Sequence, residues 1–275
     1  MKLLKNTFTI LFILSTQSFP QFYADSVLAD EIVEFVNIAN EKAGNFYLYD
    51  RPNIEFTDDE LEYLLDLYYK CYSFYPVCFN DYMAEEHKKW EKASLNVPKA
   101  ELKLRPWLRI YALVDELSET YGSKFITITG TPAIIKCKYI ELSYSTHILK
   151  GTDTKFRVHN FIFVVEEVLK GDNYFQPGDI FSVDMIPNIE SPAPSFIPEK
   201  SYFLPVTTIM GHQDDAFNTV FVYLVNEEDR LKMGQPPQTF PIENGIINNC
   251  EYFGISDTSW TDFKIYFRET YMIFD

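Results

Sequence analysis

Apolar residues in the first half of the chain recur at helical spacing. Ile32, Phe35, Val36 and Ala39 fall on one face of a helix that Gly44 is placed to stop. After an extended aromatic link, Thr57-Asp58-Asp59-Glu60 is a capping-box pattern, in which threonine and glutamate satisfy each other's backbone N–H groups. Leu61, Leu64, Leu65 and Tyr68 then form the apolar stripe of the helix it opens. Asn80 is placed to cap a further helix with Met83, His87 and Trp90 on one face. Pro106 suits the first turn of the next, whose stripe Trp107, Ile110, Tyr111, Val114, Leu117 and Tyr121 ends at Gly122. Together these predict a helical region over 25–122.

At residue 123 the pattern becomes alternating. KFITITGTPAIIKCKYIEL is rich in β-branched residues, and KFRVHNFIFVVEEVL returns as a second long strand after the turn signal KGTDT at 150–154. GDIFSVDM, the proline-rich link SPAPSFIP, SYFLPVTTI and NTVFVYLV follow. Pro205 inside the fourth run predicts an edge strand or a bulge. Five strand candidates with no helices between them imply an antiparallel sheet. FPIENGII reads as one more short strand, and Ser259 with Asp262 starts a final helix bearing Trp260, Phe263, Phe267 and Tyr271. Two long alternating strands followed by shorter ones suit a small curled barrel of the OB type. The expected fold class is therefore α+β: an N-terminal helical region, then a small antiparallel OB-like β-barrel over 123–275 with a C-terminal helix.

The residues before this pattern read as an export signal. Lys2 and Lys5 supply a basic start, a short apolar core follows from Phe8 to Leu14, and cleavage fits after Ala24 or after Ala29. The expected location is secreted, periplasmic or extracellular, with no membrane insertion. The chain carries a formal net charge of −16, and losing a signal that holds two lysines and no acid makes it more negative. That balance argues against nucleic acid or anionic lipid as the main partner. The 24 Phe and 19 Tyr fit strand packing. In an exported chain the four cysteines predict two disulfides. Three connectivities are open, and the preferred one is Cys71–Cys78 with Cys137–Cys250, Pro76 breaking the helix between the first two.

The order VVEEVLKGD, PGDIFSV, FIPEKSYFLPV resembles the second, third and fourth strands of the TIMP-like and netrin-like OB-fold modules of exported bacterial proteins. The likeness covers about 123–275, with 133–142 as its first strand. It implies the fold and a non-catalytic binding role. The animal inhibitors of this fold chelate a protease zinc through an N-terminal cysteine. Here Asp25 or Asp30 would begin the mature chain, so that chemistry is not carried over.

Candidate chemistry is sparse. His87 lacks the second histidine one helical turn away that a zincin helix needs, and it reads as a packed histidine. His147 and His159 flank the 150–154 turn without standing opposite each other, and both read as surface strand positions. Glu166 and Glu167 are neighbours on a strand and are expected on opposite faces. His212, Asp214 and Asp215 in GHQDD form the best small-site candidate, a loop where a divalent cation is possible, although a polar turn explains them as well. No other cofactor is expected. Seven basic residues between 88 and 109 (Lys88, Lys89, Lys92, Lys99, Lys103, Arg105, Arg109) make a candidate docking patch for an anionic partner, against internal pairing with the acidic helix at 58–66. The leading expectation is a secreted, non-enzymatic binding or interaction protein whose partner is a protein or cell-surface polymer. Its candidate surfaces are the helical half and the loops at 150–154, 187–198 and 211–217. The alternatives are a secreted hydrolase using His212 with Asp214 or Asp215, and a structural component of an envelope assembly.

Overall fold

The structure is a computed structural model and describes residues 28–50, 52–148, 153–186, 192–207, 219–222, 224 and 236–272, His147 by its backbone alone. The expected export signal, 1–24, lies outside them. The first half builds five helices: α1 (Asp30–Ala43), α2 (Asp58–Tyr69), α3 (Pro76–Ser94), α4 (Pro106–Tyr121) and α5 (Ser123–Thr129). The capping box opens α2 as expected, with Thr57 N donating to Glu60 Oε2 at 2.8 Å and Glu60 N to Thr57 Oγ1 at 3.3 Å. Phe35, Leu64, Phe79 and Ile110 of α1 to α4 meet in one fully buried core.

Two helix starts differ from the sequence reading. A π turn (Lys70–Phe74) extends α2, closed by Tyr75 N donating to Lys70 O at 3.0 Å. The chain then breaks at Tyr75 (φ −123°, ψ 39°), so α3 begins at Pro76 and Asn80 lies inside it. Proline fits a first helical position because the N–H it lacks has no intrahelical acceptor there. Residues 123–129, read as strand from their β-branched content, are helical. Ile126 packs into the helical core and Ile128 into the core under the C-terminal helix, so two-sided burial overrides propensity.

The sheet contains β1 (Ala133–Ile148), β2 (Lys155–Lys170), β3 (Ile180–Met185), β4 (Ser201–Thr207), β5 (Val220–Phe221), β6 (Phe240–Glu243), β7 (Ile246–Ile247) and β8 (Thr258–Ser259), and α6 (Trp260–Tyr271) ends the described fold. Its order is β3-β2-β1-β4-β6-β7-β8, with β5 also on β4, and every pairing is antiparallel. The sheet is open along its ladders and not a closed barrel. FPIENGII is a hairpin instead of one strand: Asn244 (φ 52°) and Gly245 (φ 77°) take the left-handed pair of a tight turn between β6 and β7.

Pro205 is on neither an edge strand nor a bulge, because β4 pairs with β1 on one side and with β6 and β5 on the other. Its carbonyl accepts from Val222 N, so its missing N–H faces the same side, in the gap where the β6 ladder ends at Phe203 and the β5 ladder starts at Val206.

Alternation gives the sheet two apolar faces. Ile135, Cys137, Phe163, Tyr202 and Leu204 pack on one side with Phe175 and Phe181. Ile134, Phe203, Phe240 and Ile247 pack on the other, beneath Trp260, Phe263 and Phe267 of α6. Among the described residues no helix is long and apolar enough to cross a membrane.

Candidate functional site

The two halves meet where the π turn approaches the start of β1 and the end of β2. There a cleft of about 320 Å³ opens, walled by Tyr69, Phe74, Val168, Lys170, Asp172 and Met272. Lys170 closes β2 and is buried. Its ammonium donates to Ser73 Oγ at 3.0 Å and to Thr129 O at 2.8 Å, and lies 4.7 Å from the centroid of the Tyr69 ring. Ser73 Oγ in turn donates to Thr129 O at 2.7 Å. Tyr174, four residues beyond β2, donates its hydroxyl to Phe74 O at 2.8 Å and Ser73 O at 3.3 Å, capping the carbonyls that end the π turn. The side-chain hydroxyl of Thr129 is buried with no hydrogen-bond partner among the described residues. Such orphaned groups are rare in folded proteins and call for a reason.

Gly171 makes the close approach possible. It sits at φ 86°, and a Cβ there would lie 2.6 Å from Pro132 O. The sequence marks Lys-Gly-Asp as an ordinary turn. Nothing in it signals that the lysine is buried, since that burial comes from helices a hundred residues earlier.

The sequence-derived candidates fall elsewhere. His212, Asp214 and Asp215 lie outside the described residues, as do the whole 211–217 loop, most of 150–154 and part of 187–198. Among the described residues no group of three or more His, Cys, Asp or Glu is arranged to hold a metal ion. His87 stacks on Trp90 with ring centroids 5.8 Å apart, and its Nε2 is 3.3 Å from Glu91 Oε1. His159 stands opposite Tyr144, whereas His147 stands opposite Phe156, so the strand register keeps the two histidines apart. Burial and then the Arg157 charge hold the His159 imidazole below its ordinary pKa.

The basic residues are spread among different local partners. Lys88 and Lys89 pair with Glu85 and Glu86 on their own helix. Lys103 donates to Asn45 O, Arg105 lies over Trp90, and Arg109 donates to Leu104 O and Asn40 Oδ1. Lys92 and Lys99 are exposed. On α2, Glu60 pairs with Lys42 and Asp66 with Lys70; among the described residues no ion pair joins this helix to the basic set.

None of the four cysteines is in a disulfide. Cys137–Cys250 is excluded by the faces of the sheet, Cys137 lying in the core on one side and Cys250 in the core on the other. Cys71 and Cys78 do share the helical core, but as thiols.

Glu166 and Glu167 do not face opposite sides. Cys137 pairs with Val165 and Lys136 with Glu167, so Glu166 is the extra residue of a bulge. Val165 and Val168 consequently pack on the same face, and both carboxylates turn to the other one. Glu166 pairs with Lys136 at 3.2 Å, and Glu167 accepts from Lys264 Nζ at 2.6 Å and Trp260 Nε1 at 2.8 Å, both on α6. Burial raises the Glu167 pKa, but these bonds and the Lys264 and Lys136 charges outweigh it, leaving it below the ordinary value. A depressed carboxylate pKa adds stability above the unfolded-state value, and that stability is lost as pH falls through the folded one. Glu167→Gln is therefore expected to cost about 1 kcal/mol at pH 7, read as a lower urea midpoint. The gap between variant and parent should shrink by pH 3; an equal gap at both pH values would remove the carboxylate from the docking of α6.

Comparison of the chain with known protein-family models, with curated proteins and with solved structures finds no match to any of them.

Proposed function

We propose that this is an exported, non-catalytic binding protein with an OB-type core, whose ligand site is the cleft between its two halves. The observation that carries the reading is the grip on Lys170. A charged side chain lining a cleft is held by Ser73 of the π turn and Thr129 of α5, so an occupant touches both halves at once. Pockets of this size with a few fixed polar groups among apolar walls are the usual form of small-ligand sites.

The OB-type reading is supported by the strand order around β1, with β2 and then β3 on one side and β4 and then β5 on the other. It is also supported by Asp184 N of β3 donating to Thr219 O, the residue before β5, at 3.0 Å. That bond links the two flanks that closure of such a barrel would bring together.

The test is a native mass spectrum of the protein recovered from its own host, beside an Asn173→Trp variant. Asn173 is exposed and lines the cleft, and tryptophan there fills its mouth. We expect an added mass on the parent that the variant lacks at unchanged circular dichroism. A bare parent, or the same added mass on both, overturns the cleft as the binding site.

A further inference from the structure

The ribbon of β1 and β2 outruns the rest of the sheet. β4 pairs with β1 only from Ala133 to Lys138. Glu199 and Lys200 then close that side, Tyr139 N donating to Lys200 O at 3.0 Å and Glu199 N to Tyr139 O at 2.9 Å. β3 stops at His159 of β2. Beyond those points the two strands stay paired as far as Ile148 and Lys155, with no register shift past Glu141. Among the described residues nothing pairs with the outer side of β1 after Tyr139. Ser143, Tyr144, Ser145, Thr146 and Ile148 are exposed there.

The two free edges of this ribbon differ in chemistry. β2 before His159 carries Lys155 and Arg157, and charged side chains are a usual device that keeps an edge strand from pairing with another chain. β1 from Leu142 to Ile148 holds no Lys, Arg, Asp, Glu or Pro. In a chain with a formal net charge of −16, this edge is a place where a second acidic molecule meets no carboxylate. It also leaves apolar surface open. Leu142, Tyr144, Thr146 and Ile148 alternate onto the face that holds Phe161 and Phe163, and Tyr144 and Ile148 are 49% and 54% exposed. The Tyr144 ring is fixed in place, with the Arg157 guanidinium 3.8 Å from its centroid and the His159 ring edge-on at 5.0 Å.

We infer that this edge pairs with the same edge of a second copy of the chain, β1 antiparallel to β1, about a twofold axis through Ser145. An axis perpendicular to the sheet keeps like faces together, so the axis must fall on a residue and not between two. Ser145 is the middle of the open stretch. Leu142 then stands opposite Ile148 of the second copy, Tyr144 opposite Thr146, and Ser145 opposite itself. The exposed apolar side chains of the edge each gain a cross-strand partner. Antiparallel pairing also carries the Lys155 and Arg157 end of each ribbon toward the base of the other, where Glu141 and Glu199 are exposed.

The cleft lies at the opposite end of the ribbon, where Ile134 stands across from Lys170, so the pairing is independent of the binding role proposed above. The ladder is shorter than the roughly 20–30 residues a side of a stable interface. The dimer therefore forms reversibly as concentration rises.

The experiment follows the purified, folded protein by sedimentation velocity at increasing concentration. We expect the mass to move from that of one chain toward that of two. Ser145→Lys, which sets like charges opposite each other, is expected to stay monomeric throughout at unchanged circular dichroism. Register is read by oxidising two single variants beside the parent. In the Ser145→Cys dimer the new thiols face each other with Cα atoms about 4.5–5.5 Å apart, within disulfide reach, and should link the copies. In Ser143→Cys, equally exposed, they lie about 13 Å apart and should not. A parent that is monomeric at every concentration overturns the inference. So does a dimer that Ser145→Lys leaves intact, or a Ser145→Cys protein that cross-links no faster than Ser143→Cys. The cysteine pair decides the question even if Ser145→Lys folds poorly.

Discussion

Phe203→Ala is expected to cost about 3–5 kcal/mol, the largest single loss in the molecule. Phe203 is fully buried on β4. Its ring centroid lies 5.2 Å from those of Phe263 and Phe267, 5.8 Å from those of Phe240 and Phe253, and 6.3 Å from that of Trp260. Four of these contacts are edge-on, the arrangement aromatic quadrupoles prefer. Truncation removes the transfer energy of the ring and leaves a cavity that α6 and β6 cannot both close. In urea this should appear as a midpoint lower by about 1–2 M at an unchanged slope. Phe203→Leu, which keeps most of the volume, should lose under about 2 kcal/mol. A Phe203→Ala loss below that of the leucine variant would mean that α6 does not depend on this ring.

Gly171→Ala should lose about 2–4 kcal/mol from two additive causes. One is the backbone, since φ is 86° and a side chain there is strained. The other is contact: the new Cβ meets Pro132 O at 2.6 Å and Ala133 Cβ at 2.9 Å, both on the rigid entry to β1. Gly245→Ala separates the two. It shares the left-handed backbone (φ 77°) but nothing lies within 4 Å of its Cβ, so it should cost only about 1 kcal/mol. Equal losses in the two variants would show that the close approach of β2 to Pro132 carries no energy, and with it the tight join beside Lys170.

Much of the local structure was legible before any fold was known. The Thr57 box, Pro106 at a helix start and the Ser259 cap work within four residues of themselves, and each occurs where it was read. The Asn244-Gly245 turn was equally local, and was missed by taking FPIENGII as one strand. Other errors share a different cause. Residues 123–129 carry strand-forming side chains, yet their burial against α4 on one side and α6 on the other makes them a helix. Pro205 looks like an edge residue until two partner strands leave a gap for its absent N–H.

The candidate site divides in the same way. Alternation along β1, β2 and β4, together with the helical stripes, determined from sequence alone that the chain has a helical half and an antiparallel half, each with its own apolar faces. The tertiary structure alone decided which polar groups meet. One extra residue at Glu166 shifts the pairing of β2 on β1 and turns two glutamates to one face. The two sides of one sheet keep Cys137 from Cys250. Lys170, an unremarkable turn lysine by pattern, becomes a buried cation because Ser73 lies 97 positions earlier in the chain and 3.0 Å away. Periodicity reports on neighbours one or two turns off, while strand register and the join between the halves are set by hydrogen bonds between residues far apart in sequence, and no local pattern encodes those.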